Sequence, residues 1–219
     1  MTAQELQTRV REGEHDTLEF KRKANHPDKI MKEVVAFANT RGGDLFVGVD
    51  DNGTIPGVKH VEEEYYVLEM ALARYCRPQV PATLSIIRLS DQRGVIHLRV
   101  EESPRKPHYV VETGQAKGPA YVRVADRSIR ASKEVREILR RRRSNKDIQF
   151  TFGDRERSLM QYLADHGFIT LPQFSNLVKL NRYRAARTLI LLVLANVLEL
   201  IPQETGDDHY RLKPGSGYA

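Results

Sequence analysis

Residues 18–53 read LEFKRKANHPDKIMKEVVAFANTRGGDLFVGVDDNG, and this stretch decides the fold. Polar and apolar residues alternate at its start, which predicts a short strand with Leu18 and Phe20 turned inward. Apolar residues then recur at helical spacing over residues 27–38, and Pro27 suits the first turn of a helix. The continuous apolar run at 45–49 predicts a buried strand. The order of these elements predicts a helix packed on a sheet.

Short local signals mark where these elements end. Gly42 or Gly43 can adopt the left-handed conformation that terminates a helix, and Asp51-Asn52-Gly53 is a turn signal. The elements predicted next are one helix at about 61–76 and strands at 82–89, 95–101, 108–112 and 120–124. We therefore expect an α+β domain with a mixed β-sheet, two packed helices and five or six strands.

From about residue 150 onward the sequence pattern changes. Asp154 can cap a first helix, residues 171–180 offer a second, and Asn181 can cap a third that runs to about residue 196. Two strands, 197–201 and 209–212, follow across a polar turn. Three helices and a hairpin are typical of a small winged helix-turn-helix domain. The predicted division is a first domain at 1–143 that ends in a basic helix, a linker at 144–152, a winged-helix domain at 153–213 and a disordered tail at 214–219.

Composition limits the class of protein. The chain has 219 residues, enough for two modest domains, with 40% hydrophobic and 29% charged residues. It has one cysteine, Cys76, so an internal disulfide is excluded and a reducing cytoplasm is the expected location. No leader-like segment opens the sequence, and the longest apolar run, 189–195, is far below the ~20 residues of a membrane span. We expect no contact with a membrane.

The net charge of +6 is concentrated in one short segment. Residues 127–146 contain 9 Lys and Arg against 2 Asp and Glu. Ser132 can cap a helix that continues to about residue 143, with arginines around it rather than in a single stripe. Such a helix would bind phosphates with little base preference; a solvated connector is the alternative. The candidate residues are Arg127, Arg130, Lys133, Arg140, Arg141, Arg142 and Arg143.

Arginines also begin the third helix of the second domain, where a recognition helix presents side chains to the major groove. Arg182, Arg184 and Arg187 lie in its first turns, and their helical angles allow at most two to face one groove. The later part of this helix is apolar nearly all round. A role in protein contact or dimerisation is therefore the alternative to reading DNA.

Several motifs together resemble one protein family. They are Glu14, Glu19-Phe20-Lys21, Ala36-Phe37-Ala38-Asn39-Thr40 with Gly42-Gly43, Gly48-Val49-Asp50-Asp51, the segment from Ser103 to Tyr109, and Tyr121-Val122-Arg123-Val124-Ala125 with Ala131. The stretch from about 5 to 140 is similar to the Schlafen/AlbA-like DNA-binding domain of bacterial regulators and animal Schlafen nucleases. One departure is Ala125-Asp126, where relatives often have Gly-Ser.

The resemblance also implies a metal site. In Schlafen nucleases two glutamates and an aspartate bind divalent metal, and the matching positions are Glu14, Glu19 and Asp50 or Asp51. A nuclease would then use Mg or Mn, with Lys21 offsetting developing charge. Alternatively, Glu19 and Lys21 form an exposed ion pair on the outer face of the first strand, or these residues contact phosphate without cleaving it.

These observations lead to one leading expectation and two alternatives. We expect a nucleic-acid-binding protein, a transcriptional regulator that prefers DNA over RNA, forms a homodimer and requires no cofactor for binding. The first alternative is a metal-dependent endoribonuclease that acts on structured RNA such as tRNA. The second is a protein-interaction or dimerisation module.

Overall fold

The computed structural model describes residues 1–111, 115, 118–142 and 152–215. Arg143, residues 144–151 of the predicted linker and residues 216–219 of the predicted tail lie outside them. The chain forms two compact units, Met1–Arg130 and Ala131–Ala219. The predicted α+β fold class is confirmed. In the described ranges, no helix combines the length and apolar character needed to cross a membrane.

The amino-terminal unit contains a mixed sheet with packed helices. Its helices are α1 (Ala3–Val10), α2 (Pro27–Asn39) and α3 (Val61–Tyr75). Its strands are β1 (Leu18–Lys21), β2 (Gly43–Val47), β3 (Cys76–Arg77), β4 (Ala82–Ser90), β5 (Arg93–Val100), β6 (Tyr109–Val110), β7 (Tyr121–Val124) and β8 (Arg127–Arg130). The main sheet has the order β1-β2-β5-β4, with β1 and β2 parallel and joined through α2. The strands predicted at 82–89 and 95–101 are β4 and β5, which pair antiparallel as a hairpin.

Both faces of this sheet are covered. Leu45 and Val47 of β2 pack with α2 and α3 in one core. Phe46, from the opposite face of β2, packs with α1 and with Phe20 in another. Because neighbouring residues of β1 also point to opposite faces, Glu19 points toward the α2 side and is only 5% exposed. The expectation that Glu19 lies on an exposed outer face is therefore wrong.

Three elements of this unit, α1, β3 and β8, are absent from the sequence prediction. Helix α1 begins with a capping box, in which the Thr2 side chain accepts from the Glu5 amide and the Glu5 carboxylate accepts from the Thr2 amide. The spacing Thr2-x-x-Glu5 is the sequence signal from which this helix start could have been predicted. The two strands are short: β3 pairs with β6 antiparallel, and β8 pairs with β7 antiparallel.

The predicted glycine signal is confirmed after α2. Gly42 has a φ of +76°, and a Cβ at that position would lie 2.6 Å from the Val100 carbonyl oxygen. At Gly43 a Cβ would meet the Phe37 ring at 2.6 Å. Both glycines are therefore required for the close turn from α2 into β2.

The carboxy-terminal unit contains four helices and three strands in its described part. They are α4 (Lys133–Arg142), α5 (Asp154–His166), β9 (Ile169–Thr170), α6 (Leu171–Leu177), α7 (Arg182–Leu194), β10 (Leu198–Ile201) and β11 (His209–Leu212). The strands form an antiparallel sheet of order β10-β11-β9. The three predicted helices and the hairpin are present, and β9 is additional. Gly153 caps α5 instead of Asp154, and the Glu156 carboxylate accepts from its amide.

Helix α4 belongs to the carboxy-terminal unit. Its predicted cap is confirmed, since the Ser132 hydroxyl accepts from the Val135 amide at 3.1 Å. Ile138 is 5% exposed and joins a core with Leu159 of α5 and Leu189 of α7. The compact units divide between residues 130 and 131, whereas the sequence places α4 in the first domain. The sequence prediction differs because the run of arginines makes the apolar side of α4 hard to recognise, and this apolar side packs in the carboxy-terminal unit.

Candidate nucleic-acid interface and acidic cluster

The carboxylates singled out in the sequence already have partners. The Glu14 carboxylate accepts from the Phe20 amide at 2.9 Å. Burial raises the pKa of Glu14 above its usual range, and the nearby Glu19 and Asp51 carboxylates act in the same direction. Asp50 lies 3.3 Å from the Arg22 guanidinium and accepts from the Thr54 hydroxyl. Asp51 is exposed.

Glu19 is part of a buried ion cluster centred on Arg123 of β7. Arg123 Nη1 donates to Glu19 Oε2 at 2.8 Å and to Glu33 Oε2 at 2.7 Å, and the Arg123 side chain is fully buried. The second Glu19 oxygen, Oε1, pairs with Lys21 Nζ. We call Arg123, Glu19, Glu33, Lys21 and Ser128 the Arg123 cluster. The Ser128 hydroxyl donates to Glu33 and accepts from Arg123, so it completes the cluster.

The same guanidinium makes two further contacts. Its Nη2 donates to the carbonyl oxygen of His15 at 2.8 Å, and its centre lies 4.9 Å from the centre of the Phe37 ring. Arginine is suited to this position because its planar group can donate in several directions and stack on an aromatic face. The cluster joins β1, α2, β7 and β8, so its immediate effect is to hold these elements together.

This geometry bears on the metal site that the resemblance implies. Both oxygens of Glu19 are engaged by cations, and one oxygen of Glu14 accepts a backbone hydrogen bond. Across the part of the chain that the structure describes, no three His, Cys, Asp or Glu residues are grouped so that they could hold a metal ion. Because both Glu19 oxygens are already paired with cations, the three carboxylates that the resemblance implies do not form a divalent-metal site as placed.

A cleft lies between α1 and the turn after β2. Its volume is about 650 Å³. The residues that line it come from α1, from the loop before β1, from β1 and from the turn after β2: Gln7, Val10, Arg11, Gly13, Phe20, Asp51, Asn52, Gly53 and Ile55. The lining mixes amide, guanidinium and carboxylate groups with apolar side chains.

The basic residues of α4 lie mainly on one side. Val135, Ile138 and Leu139 are buried. Three of its five basic residues, Lys133, Arg136 and Arg140, follow the spacing i, i+3 and i+7 on the opposite side. We call these three residues the α4 stripe. The guanidinium groups of Arg140 and Arg141, with side chains 59% and 43% exposed, both pair with Glu137, and Arg142 is exposed.

The arginines of α7 are also exposed. Asn181 caps this helix by accepting from the Arg184 amide at 2.9 Å, as predicted. Ala185 and Leu189 are buried, which leaves Arg184 and Arg187 on the opposite, solvent-facing side. Arg182 and Tyr183 are exposed in the first turn. We call Arg182, Arg184 and Arg187 the α7 arginines.

The remaining predicted basic residues lie elsewhere. Arg127 and Arg130 are exposed on β8 of the amino-terminal unit, so they do not belong to α4. Arg143 lies outside the described residues. In the carboxy-terminal unit, the chain from residue 131 onward carries 15 Lys and Arg against 10 Asp and Glu, so most of the excess charge belongs to this unit.

Sequence reasoning also missed a buried polar contact made by Asn39. Its side-chain amide donates to the His108 and Tyr121 carbonyls at 3.0 and 2.9 Å, and its oxygen accepts from the His108 amide. His108 in turn contacts the Ser103 hydroxyl at 2.6 Å. The sequence signals a weak helix end at Asn39, but it does not reveal partners 69 and 82 residues away.

The fold therefore defines an α+β domain of 130 residues, followed by a helical unit with a small sheet. Residues 14–132 match the family model described as Schlafen, AlbA_2. The chain belongs to the Schlafen AlbA_2 family, as its motifs indicated. The match ends before α4 begins. Family membership suggests a function related to nucleic acids.

Two solved structures are similar to this chain. One is the N-terminal domain of a protein related to the ATP-dependent DNA helicase RecG from Nitrosomonas europaea, with 24% identity, a TM-score of 0.43, and coverage of 57% of this chain and 89% of that chain. The other is the DIP2311 protein from Corynebacterium diphtheriae, with 22% identity, a TM-score of 0.45, and coverage of 68% of this chain and 29% of that chain. No curated protein matches the chain.

Proposed function

We propose that this chain binds nucleic acid, with DNA preferred over RNA, through the α4 stripe and the α7 arginines. The observation that carries the proposal is the position of both sets on helices whose opposite sides are packed into one core: Arg136 is half-buried, and the other members of the two sets are exposed. Solvent-facing arginine and lysine on rigid helices can release counterions from the phosphate backbone. Ion pairs such as those of Glu137 with Arg140 and Arg141 are worth only about 0–1 kcal/mol at a surface, so phosphate can replace them.

We interpret the carboxy-terminal unit as a winged helix. The element order α5, β9, α6, α7, β10 and β11, together with the antiparallel sheet, supports this interpretation. In such a unit α7 is the recognition helix, and its first turns are the part that approaches base edges. Arg184 and Arg187 would then contact bases or phosphates, while the α4 stripe contacts phosphates. A role as a transcriptional regulator follows if these contacts select particular sequences.

Binding to labelled duplex DNA and duplex RNA tests the proposal. The variant Lys133→Ala/Arg136→Ala/Arg140→Ala is expected to lose at least tenfold in DNA affinity at low salt. The matched control is Lys23→Ala/Lys29→Ala/Lys59→Ala, which removes the same charge from exposed positions of the amino-terminal unit and should change affinity less than threefold. Equal losses in the two variants would leave only a general charge effect and contradict the proposal.

Sequence preference is tested separately at α7. Selection from a random duplex pool should enrich a motif with the unaltered protein. Arg184→Ala should flatten the preference at one or two base pairs, because a good arginine contact to guanine is worth about 1–3 kcal/mol. An Arg155→Ala control should keep the motif. A pool that shows no enrichment would contradict the regulator role and leave non-specific binding.

The ribonuclease alternative stays a prediction with its own assay. The assay incubates tRNA with Mg or Mn and measures its cleavage by the unaltered protein and by the Glu14→Gln and Asp51→Asn variants. Cleavage that both substitutions abolish would establish an enzyme that uses Glu14 and Asp51. Intact tRNA under all conditions is the result that the present geometry favours.

A further inference from the structure

Helix α3 carries an exposed apolar strip. Tyr66, Val67 and Met70 are 60%, 41% and 49% exposed, whereas Leu68 and Ala71 on the other side of the helix are buried. Tyr66 and Met70 are one turn apart and Val67 lies beside them, so the three side chains form a continuous surface. Large apolar side chains grouped in this way are typical of interaction surfaces.

Opposite charges border this strip at its two ends. Glu63 precedes it, with its side chain 80% exposed and 3.9 Å from His60, and Arg74 follows it. The spacing from Glu63 through Tyr66, Val67 and Met70 to Arg74 is i, i+3, i+4, i+7 and i+11, which keeps all five on one side of the helix. The Arg74 guanidinium lies 5.5 Å from the centre of the Tyr75 ring and remains exposed.

The pattern of side chains from Glu63 to Arg74 is complementary to the same pattern on a second copy of α3 that runs in the opposite direction. If a second α3 runs antiparallel across a two-fold axis between residues 68 and 69, Glu63 faces the partner's Arg74 and Val67 faces the partner's Met70. The same two pairs recur on the other side of the axis, as an isologous interface requires. We propose that this face of α3 is the contact between two copies of the chain.

The size of the surface determines the expected strength. A 15-residue helix is about 22 Å long, so one helix pair is a small interface. We therefore expect a reversible dimer that dissociates on dilution. The contact uses neither the α4 stripe nor the α7 arginines, so it stands or falls independently of nucleic-acid binding.

Sedimentation velocity of the full chain without nucleic acid, over a concentration series, tests the contact. The unaltered protein should shift from monomer to dimer as concentration rises. Tyr66→Lys should weaken the dimer at least tenfold. Tyr183→Lys, which changes an even more exposed tyrosine of the other unit, should change it less than twofold. A chain that stays monomeric at its highest soluble concentration would overturn the proposal.

A charge exchange tests the antiparallel register. Glu63→Arg and Arg74→Glu each place two like-charged pairs in the dimer, so each variant alone should be monomeric. Mixing the two variants should restore a dimer, because the mixed pair has both contacts of opposite sign, and the double variant should also dimerise. Circular dichroism confirms that each variant is folded. Folded single variants that remain monomeric when mixed would overturn the register.

Discussion

At the residue scale, Arg123 is the side chain that the structure links most directly to the stability of the amino-terminal unit. It is fully buried and is held by two carboxylates, a hydroxyl and a carbonyl. A buried charge of this kind is tolerated only because its partners compensate for the missing hydration. Glu19 therefore has a structural role as a partner of the buried Arg123. Any catalytic role of Glu19 would have to be compatible with this ion pair.

Replacing Arg123 with methionine keeps most of the volume but leaves Glu19 and Glu33 with less compensation. We expect the free energy of unfolding to fall by about 3 kcal/mol or more, as for other broken buried ion pairs. Arg105→Ala, at an exposed site, should change it by less than about 0.5 kcal/mol. Urea unfolding of the three proteins measures this, and equal midpoints would contradict the role of the Arg123 cluster.

The contact of Asp44 with His97 and Arg9 predicts that the stability of the protein depends on pH. Burial raises the pKa of Asp44, but the hydrogen bonds from His97 Nε2, at 2.7 Å, and from Arg9 outweigh this and hold the pKa below its usual value. A lowered folded-state pKa contributes stability above the unfolded value of about 3.9 and loses it as pH falls through the folded pKa.

Asp44→Asn should therefore be about 1–3 kcal/mol less stable than the unaltered protein at pH 7, with the difference shrinking below about pH 4. Chemical unfolding at pH values from 7 down to 2 measures the difference. Asp91→Asn, at an exposed turn, is the control. A difference that stays constant over this range would show that the carboxylate charge has no part in the contact.

Individual residues were predictable where the signal is local. The left-handed Gly42, the Ser132 cap and the Asn181 cap each depend on a few neighbours, and all three are confirmed. Arg123 and Asn39 were quoted in motifs, but their partners were not foreseen. Glu19 is 104 residues from Arg123, and one sequence carries no local signal for such a pair.

At the element scale, α4 is a helix whose many charged residues make its buried apolar side hard to predict from the sequence. Its consecutive arginines, Arg140 to Arg142, suggest a solvated connector, yet Val135, Ile138 and Leu139 are buried and Ile138 reaches the core of the carboxy-terminal unit. The elements with a clear apolar period, such as α2, α3 and the β4–β5 hairpin, were predicted. The short strands β8 and β9 were not, because strands of four and two residues show too little alternation.

Ile138→Ala tests this assignment of α4. A cavity left by a buried isoleucine costs about 2–4 kcal/mol, so amides of α5 and α7 should become less protected from hydrogen exchange while those of β4 and β5 keep their protection. Arg141→Ala, on the same helix but exposed, should leave both sets unchanged. Unaltered protection of α5 and α7 in Ile138→Ala would mean that α4 is a connector after all.

At the scale of the whole molecule, the family match and the excess positive charge lie in different units. The family match covers residues 14–132, and the amino-terminal unit has nearly balanced charge, with 20 Lys and Arg against 19 Asp and Glu. The carboxy-terminal unit carries the remaining excess. Composition alone revealed where the charge is concentrated, but only the packing of α4 shows which unit presents it. The proposed function therefore places the attraction to nucleic acid in a unit outside the family domain.

The salt dependence of duplex DNA affinity tests this central claim most directly. For the unaltered protein, the logarithm of the binding constant should fall linearly and steeply with the logarithm of salt concentration. In Lys133→Ala/Arg136→Ala/Arg140→Ala the slope should be shallower by about 0.9 for each phosphate that the variant no longer neutralises. No detectable affinity at low salt, or a slope that is the same in this variant as in the unaltered protein, would contradict the claim.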